Sequence, residues 1–129
     1  MTKILPSKVI KPFDVFYKLN TTEFGQSKHY YVCIYSQSLD ENNKLVNDVY
    51  GLMVTTNQKY FDLPNDYNVK TEINGTPCFV LCDKWFRLKI EDTMEVKEKK
   101  FSRYEMSEIT EKLNKFITEM KRQIGEMNK

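Results

Sequence analysis

Hydrophobic and polar positions alternate early in the chain. In "FDVFYKL" (13–19), Phe13, Val15, Tyr17 and Leu19 fall on one face and Asp14, Phe16 and Lys18 on the other. A period of two sends successive side chains to opposite sides of an extended chain, so this run predicts a strand. "YYVCIYS" (30–36) is β-branched and aromatic and predicts a second. Between them, "NTTEFGQSK" (20–28) reads as a loop pivoting on Gly25. "QSLDENNKLVND" (37–48) is polar and turn-rich, and "VYGLMVTT" (49–56) is apolar enough for a central strand that ends in two threonines. The clearest local signal is "YNVKTEINGTPCFVLC" (67–82), where Asn74-Gly75 between two strand-like runs predicts a type I′ hairpin. Pro77 donates no ladder hydrogen bond, so it belongs at a strand start or an edge. "KWFRLKI" (84–90) and "MEVKEKKF" (94–101) extend the sheet. The Lys/Glu-rich stretch after Val96 predicts a charged edge or a strand with one solvated face.

After residue 101 the period changes to that of a helix. Ser102 and Glu105 have the spacing of a capping box, in which each side chain satisfies the other residue's backbone N–H. Met106, Ile109, Leu113, Phe116 and Met120 then recur at three and four, and Ile117, Ile124 and Met127 extend the stripe. Such a stripe packs on the sheet, while its last two turns past Met120 are free to reach a partner. Glu108–Lys112 and Glu111–Lys115 are i,i+4 pairs worth a few tenths of a kcal/mol each. No helical pattern lies between the strands, so parallel βαβ folds are disfavoured. The expectation is one domain over 1–129: a β-rich body (12–101) and a C-terminal helix (103–127). The fold class is mainly β, a small, strongly curved sheet or barrel.

Composition narrows the function. The 129 residues fit one domain, and 40% hydrophobic with 13% aromatic content is enough for one core. A net charge of +2 does not by itself make a nucleic-acid binder, although a single groove can gather the positive charge. "MTKILPSKVIKPF" has no apolar run of signal-peptide length, and no stretch approaches a membrane span. The three cysteines therefore read as reduced thiols in a cytoplasmic protein. Cys78 and Cys82 stand about 13 Å apart on one strand, too far for a disulfide. Cys33, Cys78, Cys82 and His29 have no compact metal-ligand spacing, so neither a metal nor another cofactor is expected.

Most enzyme templates fail. There is one His and neither a phosphate-binding Gly-rich loop nor a nucleophile elbow. His29 and Cys33 are four apart, about 13 Å along a strand, which is outside the reach of a catalytic dyad. Asp62, Asp66, Glu72 and Asp83 have no distinctive spacing and read as solvated acid, with Asp83 set apart by its place between "CFVLC" and "KWFRL". The remaining candidates cluster at strand mouths. Lys28 and His29 open the second strand, Thr55, Thr56 and Asn57 close the third, and Lys84 and Arg87 flank Trp85 and Phe86. Donors of this kind suit phosphates, and the aromatic rings suit stacking on bases.

The order of these pieces resembles the PemK/MazF family of toxin endoribonucleases, from about Lys11 to Met120. "FDVFY" (13–17) is similar to the family's Gly-Asp-Val-[Tyr/Trp] strand, with Phe13 in the glycine's place. "GQSKHYYVCIYS" (25–36) takes the place of its glycine-bearing loop and [Arg]-Pro-led strand, and "LMVTTN" (52–57) of its strand ending in a Thr-Ser-like pair. "VLCDKWFR" (80–87) resembles its Val-Leu-x-[Asp/Glu]-Gln-x-Arg segment, with Lys84 for glutamine and one extra residue before Arg87. The resemblance implies an SH3-like barrel, paired as a homodimer. It also implies metal-independent cleavage of single-stranded RNA to 2′,3′-cyclic phosphate and 5′-hydroxyl ends. An antitoxin, protein or RNA, would be the partner. Carried over residue by residue, it implies catalytic roles for Thr56, or Thr55 one position earlier, and for Lys28 or His29 where the family has arginine. Arginine's planar fork is not copied by lysine, whereas histidine offers acid–base exchange. RNA contacts would fall to Gln26, Asn57, Lys84, Trp85 and Arg87. The alternative is a non-catalytic SH3-like binding module that lost the family arginine.

Overall fold

The computed structural model describes residues 10–22, 25–39, 45–57, 59, 66–90 and 94–127, with side chains left undescribed at 19–22, 25–28, 37–39 and 45–47. Six strands form one antiparallel sheet: β1 Val15–Thr22, β2 Gly25–Leu39, β3 Leu45–Thr55, β4 Asn68–Ile73, β5 Thr76–Lys89 and β6 Glu95–Lys97. Helix α1, Arg103–Met127, follows. The order across the sheet is β4-β5-β3-β2-β1-β6, so the sheet is open, with β4 and β6 as its edges.

The strands run further than the hydrophobic pattern indicates. Residues 20–22 and 25–28, in the stretch expected as a loop, carry the β1–β2 ladder from Leu19↔Lys28 to Thr22↔Gly25. Residues 37–48, expected as turn, hold the pairs Gln37↔Asp48 and Leu39↔Leu45. Both stretches are polar, and backbone ladder bonds need no apolar side chains. Conversely, β6 keeps only three residues of the expected 94–101 run. The runs 76–82 and 84–90 merge into the single strand β5. Its register against β3 jumps from Leu52↔Trp85 to Met53↔Leu81, so Cys82, Asp83 and Lys84 bulge out of that ladder. A bulge bends its strand and re-aims the side chains beyond it. Pro77 is the second residue of β5, as its missing donor requires.

Alternation along the strands feeds two cores. One face gathers Val15, Val32, Leu52, Val80 and Cys82 beneath Phe101 and Ile109. The other gathers Phe16, Tyr31, Cys33 and Val49 with Ile10 and Met94. Phe16, which the sequence pattern put on the polar face, is fully buried because Ile10 and Met94 cover that side. Its ring stacks on Tyr31 with centroids 5.5 Å apart. Both lean on Gly51, where a Cβ would stand 2.9 Å from Tyr31 Cβ and 3.1 Å from Phe16 Cζ.

Helix α1 begins where the capping box places it. Glu105 N–H donates to Ser102 Oγ at 3.1 Å, and Ser102 N–H donates to Glu105 Oε1 at 3.0 Å. The other Glu105 oxygen accepts from the Thr71 hydroxyl of β4 and lies 3.8 Å from Lys99 Nζ. Burial alone would raise this carboxyl. The bonds from Thr71 and Ser102 and the charge of Lys99 outweigh burial and hold it below its usual value. A depressed carboxyl stabilises the fold above the unfolded-state value, and that contribution is lost as pH falls through the folded value. Glu105→Ala is expected to cost about 1–2 kcal/mol at neutral pH. The deficit should shrink as pH falls through the lowered value of the wild-type carboxyl; urea unfolding at neutral and at strongly acid pH measures it. On the helix's outer face Arg122 pairs with Glu119 and Glu126, and Lys115 reaches Asp66 at 3.7 Å.

One polar side chain fits its surroundings poorly. Asn68, paired with Leu81 at the start of β4, is 7% exposed, and neither amide atom has a hydrogen-bond partner among the described residues. An unpaired buried amide costs about 1–3 kcal/mol. Asn68→Val, which removes the amide and favours the strand, is expected to raise the melting temperature by a few degrees; a fall in thermal denaturation would refute this.

Candidate functional site

The β2–β3–β5 registers bring separate parts of the chain to one corner. Tyr30 pairs with Val54, and Thr55 pairs with Phe79. The start of β2 therefore lies beside the end of β3, with the β4–β5 hairpin next to both. Asn74 and Gly75 at the hairpin tip have φ of 52° and 80°, the left-handed values that a type I′ turn needs at both central positions. These elements enclose a cleft of about 380 Å³. His29 and Tyr30 come from β2, and Met53, Val54, Thr55 and Thr56 from the end of β3. Ile73, Asn74, Thr76 and Cys78 form the hairpin wall. A cavity of this size is within the range of small-ligand pockets.

The cleft combines an apolar floor with a few hydroxyl, amide and imidazole groups. Thr55 Oγ1 accepts the Asn57 N–H at 3.1 Å, which leaves the Thr55 hydroxyl proton available as a donor. Thr56 is exposed at the rim, and His29 is half-buried. Cys78 contributes wall rather than nucleophile, because burial pushes its thiol upward. The same cause takes Cys33 to about 11 and Cys82 to about 12. All three cysteines are free and buried. Cys33 lies in the core of one sheet face, while Cys78 and Cys82 lie in that of the other. Among the described residues no three His, Cys, Asp or Glu side chains are placed to hold a metal ion.

The residues singled out in the sequence thus divide. His29, Thr55 and Thr56 line the cleft. Lys28 and Gln26 sit on β2, and their side chains lie outside the described residues. Asn57 turns back on its own chain, its Oδ1 accepting the Lys59 N–H at 3.1 Å. Trp85 lines a different groove, against α1. Lys84 is exposed at the β5 bulge. Arg87 Nε donates to Asp48 Oδ2 at 2.9 Å, and the guanidinium lies 6.0 Å from the centre of the Tyr50 ring. Asp48 is 7% exposed, so Arg87 balances a buried carboxylate. Of the acids, Asp62 lies outside the described residues, Asp66 and Glu72 are exposed, and Asp83 is half-buried in the bulge.

The hairpin wall was not among the candidates read from the sequence. Its only signal was Asn74-Gly75, which the turn geometry accounts for without any site. Asp48 was likewise read as part of a turn, because its partner Arg87 is 39 residues away. No protein-family model matches the chain, and no curated protein sequence matches it.

Proposed function

We propose that the chain is a metal-independent endoribonuclease of the PemK/MazF toxin type, built on an open variant of the SH3-like sheet. The observation that carries this reading is the convergence of His29, Thr55 and Thr56 on one cleft. The resemblance singles out the same positions, at the mouth of the second strand and the end of the third. Phe13 lends further support. It replaces the family's glycine, and its backbone has φ of 70°, a conformation that glycine adopts readily and phenylalanine rarely.

In the proposed reaction the substrate's own 2′-oxygen forms a bond to the adjacent phosphorus, and the P–O5′ bond breaks. The 2′-hydroxyl proton must leave and the 5′-oxygen must gain one. The reading gives both proton transfers to the His29 imidazole in the cleft. The hydroxyls of Thr56 and Thr55 donate to the phosphoryl oxygens on which charge develops. Asn74 and Thr76 form the wall against which the nucleotide lies.

The rival, a non-catalytic binding module, is favoured by one observation: no Lys or Arg is among the described residues lining the cleft. Incubating the protein with long single-stranded RNA in EDTA separates the two readings. The enzyme is expected to cut at discrete sites. A folded protein that binds several RNAs and cuts none would establish the module instead.

A further inference from the structure

The residues lining the cleft offer hydroxyls, an amide and an imidazole but, among those described, no lysine or arginine. Negative charge grows on the phosphoryl oxygens as the 2′-oxygen attacks, and a charge-assisted hydrogen bond stabilises it more than a neutral donor does. The strand registers bring a lysine to this corner from outside the lining. Lys18 of β1 pairs directly with His29 of β2. Tyr30 pairs with Val54, so one step along the antiparallel ladder His29 comes opposite Thr55. Directly paired residues leave a sheet on the same side, with Cβ atoms about 4.5–5.5 Å apart. Lys18, His29 and Thr55 therefore form one row across three strands.

We propose that Lys18 is the cation of the cleft, its ammonium donating to a non-bridging oxygen of the phosphate that reacts beside His29. That phosphate comes from the RNA-cleaving reading above, on which this role rests. Reach supports the assignment. Neighbouring strands lie about 4.8 Å apart, and lysine's four-carbon stem carries its ammonium across one such spacing. Access supports it too. β6 pairs with β1 only as far as Tyr17↔Glu95, so among the described residues no strand flanks Lys18 on its outer side. Lys18 is half-buried, as is His29.

Other cations are engaged elsewhere. Lys97 Nζ stands 4.9 Å from the centre of the Tyr17 ring. Tyr17 precedes Lys18 on the same strand, so it faces the other side of the sheet. Lys99 Nζ lies 3.8 Å from Glu105, and Arg87 donates to Asp48. In the sequence Lys18 is only the polar position of an alternating strand. The β1–β2 register alone sets it against His29.

Two RNAs test the assignment. A mixed-sequence 2′-fluoro RNA lacks the attacking hydroxyl, so its affinity is measured against salt concentration without cleavage. Lys18→Gln is expected to flatten the log–log slope by about 0.7, the share of one phosphate contact on a single strand. Lys18→Arg, which keeps the charge, should keep the slope. On unmodified RNA, Lys18→Gln should slow single-turnover cleavage by about 10–100-fold, the worth of one hydrogen bond to a charged group, and Lys18→Arg should restore most of the rate. Lys121→Gln removes the same charge from an exposed position on α1 and should change neither slope nor rate. Circular dichroism of all three variants should match the wild type. An unchanged slope and rate in Lys18→Gln would overturn the role of Lys18 and leave the cleavage reading standing. Equal changes in Lys18→Gln and Lys121→Gln would reduce the effect to net charge and overturn it as well. A wild-type protein that binds RNA but never cuts it, with the slope still falling in Lys18→Gln, would overturn the cleavage reading and keep the phosphate contact. A folded protein that binds no RNA would overturn both.

Discussion

Thr56→Ala is expected to lower RNA cleavage by about 10²–10³-fold, the usual cost of removing one donor aimed at developing charge. His29→Ala is expected to cost about 10²–10⁴-fold, the range for a positioned acid–base group. Both side chains line the cleft, one exposed at its rim and the other half-buried, so neither substitution opens a hole in the core. RNA affinity should therefore fall far less than turnover. The pH profiles should separate the two roles. Loss of the imidazole should change the shape of the pH–rate profile, whereas the Thr56 variant should keep the wild-type shape at reduced height. Single-turnover cleavage measured across pH, alongside RNA binding, checks both. Equal losses in affinity and turnover would reassign these residues to binding alone.

Gly51→Ala is expected to destabilise the fold by about 1–3 kcal/mol, the cost of overfilling a packed core. The sign is informative. Glycine in a strand usually costs stability relative to alanine, because it loses more backbone entropy on folding. Here the added methyl would stand 2.9 Å from Tyr31 Cβ. That atom is fixed to the β2 backbone and cannot swing away, so relief requires β2 and β3 to shift apart. The second contact, 3.1 Å from Phe16 Cζ, is the far end of a ring stacked on Tyr31. Gly51→Val should cost more still. Urea unfolding of both variants measures this, and a more stable Gly51→Ala protein would show that the stack yields easily.

What the sequence made legible followed side-chain periodicity and turn chemistry. Helix α1 was readable at both ends, from the Ser102–Glu105 box and from a stripe that persists to Met127. The hairpin was readable because Asn-Gly is suited to two consecutive left-handed residues. The polar extensions at 20–28 and 37–48 were not, since their ladders rest on backbone bonds that leave no mark in hydrophobicity. Nor was the bulge at Cys82–Lys84, because a register jump conserves composition. The candidate site was half legible. His29, Thr55 and Thr56 stood out at strand mouths, but that they share one cleft depends on pairing Tyr30 with Val54. The wall from Asn74 to Cys78 was hidden, because each of its residues already served the hairpin or the core.

The most direct measurement places a single 2′-deoxynucleotide at a mapped cleavage site in an otherwise unmodified RNA. If the substrate's 2′-oxygen is the nucleophile at the His29–Thr56 cleft, cutting should stop at that bond and continue at others. The unmodified RNA should yield 2′,3′-cyclic phosphate and 5′-hydroxyl ends. Undiminished cutting at the deoxy position, with 5′-phosphate ends, would contradict the account.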